Sequence, residues 1–172
     1  MDKQAVALSV CIPVYNGAAF LKESITSVLA QDFGSFELVI SDDASADGSA
    51  EIVKSFKDPR IRFESNRRRL GLTGNWNRCL DLARGEYVCI FHQDDIMMPS
   101  NLRRKYDALS QRSGAGMVYS NVIQIDSRGT VVPGHLFWRN CNPDTDFVWP
   151  AALSSSPNAV RIFRCLRTAK AA

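Results

Sequence analysis

The feature that most constrains this chain is a regular change of hydrophobic period. Strand-like runs take turns with segments of helical periodicity. ALSVCIPV (7–14), FELVISD (36–42), IRFES (61–65) and EYVCIF (86–91) are short and rich in β-branched or aromatic residues. EYVCIF shows no apolar–polar alternation, as expected of a strand covered on both faces. Between them, residues 18–31 place Leu21, Ile25, Val28 and Leu29 on one helical face, and 72–84 repeat Leu72, Trp76, Leu80 and Ala83. Residues 46–57 read as a helix capped by Asp47. Residues 99–112 open on Pro99 and repeat Leu102, Tyr106 and Leu109, and Gly85 stops the helix before it. Residues 115–126 and 130–134 read as strands joined by the turn SRG. Strand and helix in repeated succession define an α/β fold: a mostly parallel sheet covered by helices.

The rest of the composition narrows the classes. A length of 172 residues with 45% apolar content suits one domain with a real core. No apolar run approaches the roughly 20 residues needed to cross a bilayer, and the N-terminal residues lack the form of a signal peptide. A net charge of +3 is too small to mark a nucleic-acid binder, yet suits phosphorylated ligands or an anionic membrane face. Five cysteines without a Cys-x-x-Cys pair point to reduced, structural thiols in a cytoplasmic protein.

Ligands of open parallel sheets bind beyond the carboxyl ends of the strands. Three polar motifs fall there: PVYN (13–16), SDDAS (41–45) and HQDD (92–95). Adjacent carboxylates repel, so Asp94 and Asp95 require compensation. One reading is an acidic cap for the helix near Pro99, with the second acid solvated. The other is a Mg²⁺ or Mn²⁺ site completed by substrate phosphates. Asp43 has a similar pair of readings, a loop cap or an acceptor for a base N–H or ribose O–H; the second is the one expected here. Neither a Gly-x-Gly-x-x-Gly turn nor a P-loop follows the first strand.

Taken in order, SVCIPVYNGAAFLKESITSVLAQDFGSFELVISDDASADGS and GLTGNWNRCLDLARGEYVCIFHQDD resemble the family 2 glycosyltransferases of the GT-A, Rossmann-like fold. The resemblance spans residues 7 to 126. It implies that Pro13 and Tyr15 line a nucleobase pocket, that Asp43 contacts the base, that Asp94 meets the donor ribose and that Asp95 holds the metal. Two departures stand out. His92 occupies a position where many members carry Asp, which suggests a packing or hydrogen-bonding role. NWNRC (75–79) replaces the family's Ala-Arg-Asn-x-Gly, so Trp76 reads as core and Asn75 or Asn77 as a donor contact. Within the run Arg67–Arg69, one arginine near the donor diphosphate is the sharper expectation.

The resemblance implies inverting transfer from a nucleoside-diphospho-sugar, a UDP-sugar by family habit, to a carbohydrate or lipid-linked acceptor. The setting is surface polysaccharide or glycolipid synthesis in the cytoplasm, with peripheral association at the inner membrane face. Residues 1–135 then form the donor domain. Residues 136–172 form an irregular, incomplete acceptor-side segment, and the chain reads as C-terminally truncated. VRIFRC (160–165) resembles a strand that precedes the family's catalytic base, but no acid follows Asp144 and Asp146, so the base is not found. The alternative is a non-catalytic fragment or paralogue that holds the nucleotide sugar without transferring it.

Overall fold

A computed structural model describes residues 6–112, 115–120, 122–136, 147–150 and 161–164. The strands are β1 (Leu8–Val14), β2 (Phe36–Asp42), β3 (Ile61–Ser65), β4 (Tyr87–Ile90), β5 (Ala115–Tyr119), β6 (Ile123–Ile125), β7 (Val131–Leu136), β8 (Phe147–Pro150) and β9 (Arg161–Arg164). The helices are α1 (Ala18–Leu29), α2 (Ser49–Ser55), α3 (Gly71–Leu82) and α4 (Asn101–Ser110). Seven strands form one sheet in the order β3-β2-β1-β4-β9-β5-β8, and β6 and β7 form a separate hairpin. Every pairing in the large sheet is parallel except that of β5 with β8.

The periods read from the sequence correspond to these elements, with helix ends shorter by two or three residues at several termini. The run 115–126 is not one strand. It breaks after Tyr119, and its second half crosses to the hairpin, where Ile123 pairs with Leu136 and Ile125 with Val131. The expected SRG turn is built by Asp126, whose Oδ1 accepts the Arg128 and Thr130 amides at 2.9 Å each, with Gly129 at φ +81°. The sheet also runs across residue 135: the backbone of β9 pairs with β4 and β5, and that of β8 with β5.

All seven residues of β2 are buried, as are six of seven in β1 and all four of β4. This is why these strands lack alternation. One face packs Leu21, Ile25 and Val28 of α1 and Leu102 and Leu109 of α4 against Leu8, Val10, Ile12, Leu38 and Ile40. The other carries Cys11, Val39, Cys79, Val88 and Ile90, with Trp76 and Leu80 beside them. Cys11, Cys79 and Cys89 are buried and take part in no disulfide. The Cys11 thiol donates to the Cys79 carbonyl. Hydrogen bonding with the Cys79 side chain, with burial, pushes the Cys11 pKa well above the usual thiol range, so it packs as a small apolar group. Gly85 precedes β4 where a Cβ would stand 2.6 Å from the Ser9 nitrogen, which leaves room only for glycine.

One buried polar knot ties the amino ends of β1 and β2. Glu37 accepts from the Ser9 hydroxyl (2.7 Å), the Arg84 amide (2.7 Å) and Arg62 Nη1 (2.9 Å). Burial pushes its carboxyl up, but the bonds from Ser9, Arg62 and Arg84 outweigh that and hold it below the usual glutamate range. Glu37→Ala should therefore destabilise the fold by about 3 kcal/mol, the scale for stranding one partner of a buried pair. A carboxyl depressed in the native state stabilises above its unfolded pKa, and that contribution fades as pH falls through the native value. Urea unfolding at pH 7 and at pH 3 should show the wild-type advantage over the variant shrinking at the lower pH.

Candidate functional site

The strand order reverses between β1 and β4, and a cleft of about 300 Å³ opens beyond their carboxyl ends. Pro13 and Val14 of β1 and Tyr15 just past it line it, with Asp43 just past β2, Arg69 just before α3, Leu72, Asn75 and Trp76 from the first turns of α3, and His92, Gln93 and Asp94 from beyond β4. The three polar motifs thus meet at one sheet edge.

The loops that carry them are stitched together. After Tyr15 the chain turns through Asn16 at φ +49°. The Asn16, Gly17 and Ala18 amides then donate to Ser45 Oγ, Ser49 Oγ and Asp47 Oδ2 at 2.9–3.0 Å, and Asn16 Oδ1 accepts the Ala46 amide. Asp47 does more than the single cap expected of it. Its other oxygen takes the Ser49 amide and hydroxyl, while Gly48, at φ +84°, holds the N-cap position of α2. Asp47 therefore closes the starts of α1 and α2 together, and the Ser49 and Ala18 bonds hold its carboxyl below the usual aspartate range.

Asp43 is 2% exposed. Its Oδ1 accepts the Leu70 amide (2.7 Å) and Asn66 Nδ2 (3.1 Å), and its Oδ2 accepts the Gly71 amide (2.9 Å). The capping role, set against base recognition in the sequence, is thus present, and it fixes the amino end of α3 beside the cleft. Asn75, expected as a donor contact, lines the cleft floor but is 3% exposed. It accepts from Ser41 Oγ and Asn66 Nδ2 and donates to the Ser41 and Val14 carbonyls, which uses both its donors. It joins α3 to β1 and β2 and serves the site by holding the strand ends.

Tyr15 is 37% exposed at the cleft mouth, and the Arg69 guanidinium lies 3.9 Å over its ring. Of the three arginines, Arg69 is thus the one that lines the cleft. Leu72, which shares the helical repeat with Trp76 and Leu80, is 75% exposed because it lies in the first turn of α3, at the cleft. Trp76 packs on the core as expected, yet also borders the cleft, with its ring 5.3 Å from that of His92. The His92 ring packs beside Trp76, the packing role expected of it, and the His92 backbone carbonyl accepts Ser24 Oγ and the Asp95 amide, bonds that do not involve the imidazole. Gln93 went unnoticed in the sequence. Its Oε1 accepts the Tyr15 amide (2.9 Å) and its Nε2 donates to the Tyr15 carbonyl (3.2 Å).

Asp94 is half-buried and borders two spaces, the cleft and a recess of about 20 Å³ lined also by Glu23, Asp95 and Asp126. Asp95 is wholly buried. The donors here are all hard carboxylate oxygens, the chemistry of Mg²⁺ or Mn²⁺. Among the described residues no three His, Cys, Asp or Glu side chains form a metal-holding group. An adjacent carboxylate pair such as Asp94 and Asp95 has the chemistry of a site that gives an ion one or two carboxylates and leaves the rest of its shell to phosphate and water.

These features can be set beside known proteins. The profile of the family described as Glycosyl transferase family 2 matches residues 9–165. This chain belongs to that family. An uncharacterized glycosyltransferase of Methanocaldococcus jannaschii is 33% identical over 136 residues, which cover 77% of this chain and 46% of that protein. The GalNAc(5)-diNAcBac-PP-undecaprenol beta-1,3-glucosyltransferase of Campylobacter jejuni is 33% identical over 115 residues, 65% of this chain and 36% of its own. Among solved structures, S. aureus TarS 1–349 in complex with UDP-GlcNAc superposes with a TM-score of 0.63 at 25% identity, over 74% of this chain and 37% of TarS 1–349. The chain spans less than half the length of each of these relatives. Among the described residues no helix is long and apolar enough to cross a membrane.

Proposed function

We propose that this chain binds a nucleoside-diphospho-sugar, in first place a UDP-sugar, and serves its inverting, metal-dependent transfer to a carbohydrate or lipid-linked acceptor. The observation that carries this is the convergence of Tyr15, Asp43, Arg69 and Asp94 on one cleft at the strand-order reversal. Support for the donor comes from TarS, solved with UDP-GlcNAc, and for the acceptor class from the Campylobacter relative, named for an undecaprenol-linked substrate.

In this reading the base stacks on Tyr15, with Pro13 beside it. A remaining lone pair of Asp43 accepts a base N–H. Asp94 accepts the ribose hydroxyls, and Arg69 offers guanidinium N–H groups to the diphosphate. Asp95, with Asp94 beside it, would hold Mg²⁺ or Mn²⁺, which when bound supplies positive charge to offset the charge growing on the leaving diphosphate. A general base must take the acceptor's proton. Asp144 and Asp146 lie outside the described residues, as does the chain beyond Arg164. A second reading, donor binding without transfer, is favoured by one point: the only acids lining the cleft among the described residues are Asp43 and Asp94, both on the donor side. Residues 1–135 are proposed as the donor half and 136–172 as part of the acceptor side. The site of action proposed is cytoplasmic and peripheral to the membrane, a placement supported by exposed Leu70 and Leu72 beside three exposed arginines.

Calorimetric titration with UDP, GDP and dTDP, each with and without Mn²⁺, tests this reading. UDP with Mn²⁺ should bind tightest. Failure of all three at millimolar concentration would remove the nucleotide site. Turnover of UDP-sugar with and without an undecaprenol-linked acceptor then separates transfer from holding.

A further inference from the structure

We propose that Gln93 is a positioning residue that locks the Tyr15 shelf to the acid pair Asp94–Asp95, and that Gly17 is glycine to make room for it. The proposal rests on the reading of the cleft as a nucleotide site and adds to it the element that sets the distance between its two halves.

The parallel ladder of β1 and β4 pairs Leu8 with Tyr87 through Cys11 with Ile90. Its last backbone bond runs from the Phe91 amide to the Cys11 carbonyl, at 2.8 Å. Past that point β4 no longer pairs with β1, which keeps β2 on its other edge. Pro13 has no amide to give, and the Val14 carbonyl accepts the Asp43 amide and Asn75 Nδ2. The Gln93 carboxamide takes the place of the absent strand partner. It presents one acceptor and one donor side by side, as a peptide group does, and engages both backbone groups of Tyr15. Two bonds from one planar group fix orientation as well as distance.

Gly17 gives an independent observation. A Cβ there would lie 2.5 Å from Gln93 Oε1, 2.6 Å from Cδ and 3.1 Å from Nε2. Its φ of −105° and ψ of 9° suit alanine, so the backbone does not demand glycine. What a methyl there would meet is the carboxamide, which would have to move off Tyr15 to make room. Gln93 is followed directly in the chain by Asp94 and Asp95, and so the group that grips the base shelf also leads into the carboxylates on the diphosphate side. A nucleoside diphosphate must span both at once. Freed from Tyr15, each half keeps its own chemistry, but the span between them is no longer set.

The test uses Gln93→Ala, Gly17→Ala and the double variant in the full chain, with UDP plus Mn²⁺ by calorimetry and uridine by NMR titration. Each single variant should bind UDP about tenfold more weakly, as a two-part ligand does when its sites lose register, while uridine affinity stays within about twofold. The double variant should be no weaker than Gln93→Ala alone, because the added methyl then has nothing to displace. Wild-type affinity for UDP in Gln93→Ala would overturn the proposal. So would equal losses for uridine and UDP, which denote simple loosening of the loop, and so would additive losses in the double variant. If wild type binds neither ligand, the nucleotide reading fails and this role falls with it; if wild type binds both, only the role of Gln93 is at stake.

Discussion

Replacing Asp95 by alanine is expected to lower the affinity for UDP in the presence of Mn²⁺ at least about 100-fold, since even groups that only orient metal ligands account for 10- to 100-fold. The side chain is wholly buried at the exit of β4, beside Asp94. A carboxylate is seldom kept so far from water without a cation or a full set of hydrogen bonds. In the metal-free titration, wild type and Asp95→Ala should converge, because the residue's contribution runs through the ion. Calorimetry in Mn²⁺ and in EDTA makes the comparison, and equal affinities in Mn²⁺ would end the metal role.

Asp43→Asn should be felt twice. The wild-type carboxylate accepts the Leu70 and Gly71 amides on its two oxygens. An asparagine must turn its NH₂ toward one of them, which sets donor against donor in a buried place. The expected loss of stability is about 1–3 kcal/mol, the cost of a buried group left unsatisfied. Nucleotide affinity should fall by a further factor of about ten, as an acceptor for the base N–H is weakened. Urea unfolding of the free protein and calorimetry well below its melting temperature separate the two. A stability loss with affinity intact would leave Asp43 as the cap of α3 and no more.

The sheet was legible because its strands are buried on both faces, so that β1, β2 and β4 carry short, mostly apolar runs rich in β-branched residues and without alternation. The position of the site followed from the ends of those strands. What lay beyond reach was the hydrogen-bond partner of each polar side chain. Asp43 and Asn75 have the residue types of ligand contacts, and only the fold shows that their bonds run to Leu70, Gly71, Ser41 and Val14. Gln93 grips the backbone of a residue 78 positions away, and backbone leaves no mark in a sequence. Leu72 fits the helical stripe of α3, but a stripe does not reveal that the first turn projects past the core it would pack on. A signal for Gln93 was present in Gly17, where a Cβ would meet the Gln93 carboxamide.

The position of β9 governs how the molecule is made. Its four residues, Arg161–Arg164, fill the gap between β4, which ends at Ile90, and β5, which starts at Ala115. A ribosome releases β3, β2, β1 and β4 long before it releases the strand that completes the row. During that interval β4 presents an open hydrogen-bonding margin, the template on which chains pair wrongly with one another. Closure over so long a sequence separation is slow. Nascent chains stalled short of residue 161 should therefore be the species most prone to aggregate, and most in need of a chaperone to cover that margin.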